Sequence, residues 1–149
     1  MEPSVQSSLE LIRNLMRLSQ VQHAIKTRFW DDEFGLHPAA GGLLADIVAR
    51  EECRVSDLAE HRVVDTSVVS RQIAQLQAAG LVSRRPSPSD GRVALISATE
   101  RGVEVLRGWR TRQADLIKQA LVDWDEDSVG EANRVLAALT AALRAHLGD

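Results

Sequence analysis

The chain has 149 residues, of which 44% are hydrophobic and 26% charged, with a formal net charge of -3. That is the composition of one average folded domain, and it excludes collagen, intrinsic disorder and a disulfide scaffold. The lone cysteine, Cys53, has no intrachain partner, which points to a reducing, cytoplasmic compartment. No apolar run approaches the ~20 residues of a membrane span. Residues 1–8 are polar and carry no Lys or Arg, so no secretory signal is expected.

Aromatic residues make up 3% and Tyr is absent, so core filling falls on Leu, Val, Ile and Ala, with Trp30, Trp109 and Trp124. This composition suits helices. Leu11, Leu15, Leu18, Ile25 and Phe29 recur at helical spacing and predict a first amphipathic helix over roughly 6–30. Phe34 to Pro38 breaks it, and Pro38 suits the first position of a second helix over about 38–50. Gly41 and Gly42 inside that helix each cost about 1 kcal/mol relative to Ala, which points to close packing against another backbone or to a ligand pocket.

Ser56 is a suitable N-cap for a short third helix over about 56–62, with Leu58 and Ala59 inward. Asp65 suits the cap of a fourth helix, about 66–79, that Gly80 ends. Two strand-like segments follow, Leu81 to Arg85 and Arg92 to Ser97, joined by the turn-forming Pro86-Ser87-Pro88-Ser89-Asp90-Gly91. Thr99 suits the cap of a fifth helix reaching about Trp124, and a last helix spans about 126–147. The fold class is therefore mainly α with a small β-hairpin, and two short helices followed by a hairpin describe a winged helix-turn-helix.

Charge is unevenly distributed along this plan. From Arg54 to Arg92 there are six Arg against four acidic residues, a local +2, whereas the rest of the chain sums to -5. Phosphate binding is local and screened over about 10 Å, so a local excess outweighs the total. On the fourth helix Val69, Ile73 and Leu76 share the inward arc. The opposite arc and its shoulders hold Thr66, Ser67, Val68, Ser70, Arg71, Ala74 and Gln75, short or polar side chains that fit a major groove about 12 Å wide. Ser67, Ser70, Arg71 and Gln75 can donate to phosphates or base edges, and Val68 offers an apolar contact to a thymine methyl. Arg84 and Arg85 open the hairpin and Arg92 lies just past its tip, where a guanidinium reaches a narrow minor groove. Asp90, two residues earlier, suits the role of holding Arg92 extended. The plainer alternative for both elements is an ordinary solvated surface.

Several tracts now occur in a telling order: Val55-Ser56-Asp57-Leu58-Ala59-Glu60, Asp65-Thr66-Ser67-Val68-Val69-Ser70-Arg71, Leu76 to Pro86, Ser89-Asp90-Gly91-Arg92 and Ser97-Ala98-Thr99-Glu100-Arg101-Gly102. Over about residues 35–106 the chain resembles the MarR family of transcriptional regulators, with the wing's D-x-R and the T-x-x-G that opens the next helix. The resemblance implies a homodimer that binds double-stranded DNA at a pseudo-palindrome and acts as a repressor. It divides the chain into an N-terminal dimerisation helix (1–36), a winged helix-turn-helix (37–98) and C-terminal dimerisation helices (99–149). It implies that the fourth helix reads the major groove and that Arg92 enters the minor groove. It also implies a small aromatic or apolar effector at the junction of the first, second and fifth helices, with His23, Trp30, His37 and Trp109 as candidate lining residues. Each of these four residue types is more often a packing residue than a ligand contact.

Three departures from the family pattern carry expectations. Arg62-Val63 stands where an apolar residue and Gly form the bend. A β-branched residue resists the left-handed conformation, so either the bend differs or the third helix runs on, with Arg62 directed outward or to phosphate. His37-Pro38-Ala39-Ala40 replaces Thr-x-x-Gln, and Gly91 replaces a frequent Arg in the wing. Cys53, flanked by Glu51 and Glu52, reads as an inert thiol. The scattered His23, His37, His61 and His146 form no metal-ligand spacing, and no nucleophile–base pair or cofactor fingerprint appears, so neither a metal, a cofactor nor an enzyme is expected. The rival reading is a winged-helix ligand- or protein-binding module without specific DNA binding.

Overall fold

A computed structural model describes residues 1–28 and 36–148. Among them are six helices and a three-stranded antiparallel sheet. Helix α1 spans Val5–Arg28, α2 Ala39–Arg50, α3 Val55–Arg62, α4 Thr66–Ala78, α5 Glu100–Ala120 and α6 Glu126–Leu147. Strands β1 (Glu52–Arg54), β2 (Val82–Pro86) and β3 (Ala94–Ala98) are ordered β1-β3-β2.

The helix termini show where local chemistry is decisive. Pro38 sits one position before α2, with helical dihedrals, and His37 Nδ1 accepts the Ala39 N–H at 3.1 Å. The expected cap of α3 is corrected: Ser56 lies inside the helix, Arg54 holds the N-cap position, and its N–H donates to Asp57 Oδ2 at 3.3 Å. Asp65 occupies the N-cap of α4 in extended conformation, but it serves through its backbone carbonyl, which accepts from Val68 and Val69, and not through its carboxylate. Gly80 adopts φ 76 and ends α4. The chain leaves α5 at Ala120, several residues before Trp124, and Asp125 then caps α6 by accepting from Ser128 N–H at 2.8 Å.

Strand β1 is absent from the sequence reading. It alternates exposed, buried, exposed around Cys53 and pairs Cys53 with Ile96 of β3. The core gathers Leu43, Leu44 and Ile47 of α2, Leu58 of α3, Val69, Ile73 and Leu76 of α4, then Leu81, Ile96 and Leu106. Burying a Leu or Ile side chain contributes ~2 kcal/mol, so this cluster fixes how the three short helices sit on the sheet.

The T-x-x-G tract acts as a clasp between the recognition region and α5. Thr99 Oγ1 donates to the Gly80 carbonyl at 2.7 Å and accepts from Gly102 N–H at 3.0 Å. A Cβ on Gly102 would stand 2.0 Å from the Leu81 carbonyl oxygen, so only glycine permits this approach. Helices α1 and α6, by contrast, contain no buried residue. Val5, Leu9, Ile12 and Met16 form an exposed stripe on α1, and Leu136, Leu143 and Leu147 form one on α6.

Candidate nucleic-acid interface

Helix α4 buries Val69, Ile73 and Leu76 against the core, so helical geometry forces its opposite face outward. Thr66, Ser67, Arg71 and Gln75 are exposed, and Val68 and Ser70 are half-buried on the shoulders. The surface therefore carries hydroxyls, one guanidinium and one amide, with no bulky side chain to keep the helix out of a groove. Its first turn also leaves backbone N–H groups and a positive dipole end at Thr66 and Ser67.

The wing lies beyond β2, which packs against α4. Ser87 N–H donates to the Val93 carbonyl at 2.7 Å and Val93 N–H to the Asp90 carbonyl at 3.0 Å, which closes the tip. Asp90 Oδ1 accepts from both the backbone N–H of Arg92, at 3.0 Å, and its Nε, at 3.3 Å. The Arg92 side chain is 93% exposed, so this pair orients the guanidinium without burying it. Arg84 is exposed on the neighbouring strand.

Arg85 is differently employed. Its Nε and Nη2 donate to Glu52 Oε2 and Oε1 at 2.7 and 2.6 Å, a bidentate pair that ties β2 to β1 across the sheet. The hydrogen bond from Arg85 holds the Glu52 carboxyl below the usual carboxylate range. Nothing in the sequence announces this pair, because the partners lie 33 positions apart.

Both expectations for Arg62-Val63 are corrected. Val63 does adopt the left-handed conformation, φ 54 and ψ 48, and α3 stops there. Val63 N–H bonds the Glu60 carbonyl and Val64 N–H the Ala59 carbonyl, and the Val63 side chain stays exposed, clear of the core. These bonds offset a left-handed penalty of about 1–2 kcal/mol. Arg62 is not directed outward: its Nη1 donates to Asp46 Oδ2 of α2 at 2.7 Å. Its guanidinium lies 3.3 Å from where a Cβ on Gly42 would stand, so the close neighbour of that glycine is a side chain rather than a backbone. Arg144 of α6 also donates to the His61 carbonyl of α3, at 3.0 Å.

A cavity of about 200 Å³ opens where α1, α2 and α5 meet. Lys26, Pro38, Gly41, Gly42, Ala45, Leu106, Trp109, Arg110 and Gln113 line it. Of the four candidate effector contacts, Trp109 lines this space. His23 is exposed on α1 and His37 caps α2, and neither is a lining residue. Trp30 lies outside the described residues. Cys53 is buried, and that burial pushes its thiol pKa up, with Arg50 pulling the other way. The expected direction holds, but burial and not the flanking carboxylates is the main cause.

Comparison with known proteins agrees with this architecture. Residues 34–93 match the family model described as MarR family. An HTH-type transcriptional regulator of Bacillus subtilis (strain 168), YxaD, is 39% identical over 71 residues, 48% of this chain and 50% of that protein. The HTH-type transcriptional repressor IacR of Pseudomonas putida is 27% identical over 85 residues, 57% of this chain and 51% of IacR. The chain thus spans about half the length of each of these two relatives. Apo MarR of E. coli superposes with a TM-score of 0.74 at 20% identity, covering 87% of this chain and 95% of MarR. A MarR mutant complexed with operator DNA superposes at 0.63, with 20% identity and coverage of 87% and 97%. No helix among the described residues is long and apolar enough to cross a membrane. Residues 34–93 thus resemble the MarR family of transcriptional regulators, and the fold is the one seen in the MarR structures.

Proposed function

We propose that the chain is a cytoplasmic, homodimeric DNA-binding transcriptional repressor whose operator affinity is set by a small effector. The observation that carries this reading is the pairing of two differently shaped probes on one core: the slim polar face of α4 and the exposed, Asp90-braced Arg92. In this reading Thr66, Ser67, Val68, Ser70, Arg71 and Gln75 meet the major groove. Arg84 meets the backbone and Arg92 the minor groove. Arg85 is held by Glu52 and contributes little in that state.

The dimer buries the apolar stripes of α1 and α6, here exposed, against a second copy. Two-fold symmetry then presents two α4 helices to half-sites whose centres lie about one helical turn apart. The division into an N-terminal dimerisation helix (1–36), the winged helix-turn-helix (37–98) and C-terminal dimerisation helices (99–149) follows from the same placement. The effector occupies the cavity between α1, α2 and α5, with Trp109 as its apolar wall. Repression is the sense in which the relative IacR is named.

Selection of bound duplexes from a random-sequence pool tests the reading. Enrichment of an inverted repeat with that spacing is expected. Recovery of DNA without any shared sequence contradicts it.

A further inference from the structure

We infer that Arg62 and Asp46 form a positioning device, seated on Gly42, that passes the state of the cavity to the bend of the helix-turn-helix. The inference rests on the effector reading above and supplies its transmission step.

Gly42 lines the cavity, and the guanidinium of Arg62 covers the place where its Cβ would stand. At 3.3 Å from that place, the guanidinium would have to give by a few tenths of an ångström to admit a methyl group on residue 42. Asp46 lies one helical turn after Gly42 on the same face of α2, and its carboxylate holds Arg62 at 2.7 Å. Both side chains are about one quarter exposed, at 27% and 26%, so solvent screens the pair only in part. Gly41 and Ala45, the neighbouring positions of α2, line the same cavity. One helix thus faces the cavity with one stripe and Arg62 with the next.

Arg62 is also the last residue of α3, and the left-handed Val63 follows it. Val64 and Asp65 then lead to α4, whose first turn carries Thr66 and Ser67. A load on the cavity wall at Gly41 and Gly42 therefore reaches the bend through one guanidinium. The paired glycines weaken the start of α2 by about 1 kcal/mol each relative to Ala, so this is the part of the wall that yields first. Arg144 grips the adjacent His61 carbonyl from α6, so the same bend is also held from the flanking helix.

A double-substitution cycle tests the device without knowledge of the effector. Gly42→Ala places a methyl group against the guanidinium and imitates a load from the cavity side. Arg62→Met keeps the stem and removes the charged head. The first readout is amide hydrogen exchange at Val63 and Val64, whose N–H groups close the bend. The second is affinity for the duplex that the wild type selects. Gly42→Ala is expected to change both by about fivefold, at the lower end of typical couplings between sites. In the Arg62→Met background the same substitution should change either by less than twofold. Asp46→Asn should behave as Arg62→Met does. Equal effects of Gly42→Ala in both backgrounds, or none in either, would overturn the inference. Exchange coupling in a protein that selects no duplex would uphold the device and refute the DNA-binding reading alone.

Discussion

Arg92→Ala is the sharpest perturbation of the proposed interface. The guanidinium is 93% exposed in the free protein, and its only described partner, Asp90, is a neighbour in the same turn. Its removal therefore leaves folding unchanged, since exposed pairs contribute roughly 0–1 kcal/mol. In the complex each wing loses one charge-assisted contact, about 1.5 kcal/mol. A dimer loses two, so affinity should fall by about 3 kcal/mol, on the order of a hundredfold. Each phosphate neutralised contributes about 0.9 to the slope of log affinity against log salt, so the slope should shrink by about 1.8. Asp90→Ala isolates the bracing role. It leaves the cation in place but frees its rotamers, at about 0.5 kcal/mol per wing, and should cost less than tenfold. Fluorescence anisotropy over a salt series reads both quantities, with thermal melting as the control for folding. Wild-type affinity and slope in Arg92→Ala would refute the assignment of the wing to DNA.

Other predictions concern the frame. Gly102→Ala drives a Cβ into the Leu81 carbonyl at 2.0 Å and should destabilise the protein by at least about 3 kcal/mol in urea unfolding; a small change would contradict the clasp. Val63→Gly relieves a left-handed β-branched residue at little burial cost and should stabilise by about 0.5–1 kcal/mol; destabilisation would count against the bend geometry. Glu52→Gln breaks the bidentate pair and releases Arg85, so DNA affinity and salt slope should both rise. Because the Arg85 hydrogen bond holds the folded Glu52 carboxyl below its ordinary value, the stabilising pair is complete above that ordinary value and is lost as pH falls through the lower folded one. The acid limb of the wild-type stability profile should therefore flatten in Glu52→Gln, and an unchanged limb would contradict the pair.

The periodic elements were legible from residue spacing alone. The inward arc Val69, Ile73 and Leu76 placed α4 and, by opposition, its outward face. Gly80 marked the end of α4, and Thr99 and Gly102 marked the start of α5, because each answers a local backbone demand. What stayed hidden was set by partners distant in sequence. Strand β1 has three residues and exists because Cys53 pairs with Ile96, 43 positions on. Arg62 turns inward because α2 offers it Asp46 and a glycine surface, neither of which a local pattern reveals. Val63 is a local exception: propensity opposes its conformation, and the backbone bonds that close the helix end, from Val63 N–H to Glu60 and from Val64 N–H to Ala59, offset that cost. The role of His37 is equally invisible in a local pattern: its ring accepts the Ala39 N–H at the start of α2. Arg85 looks like a free cation in the sequence because its partner Glu52 lies on another strand.

The central claim is that one face of this molecule reads a particular DNA sequence. The most direct test is fluorescence anisotropy of the protein with DNA from upstream of its own gene against a scrambled duplex of equal length, over a salt series. The account predicts tighter binding to the upstream duplex and a steep fall with salt that reflects several neutralised phosphates per dimer. Equal, weak binding to both duplexes at every salt concentration would contradict it, and would favour a winged-helix module that binds a ligand or a protein instead.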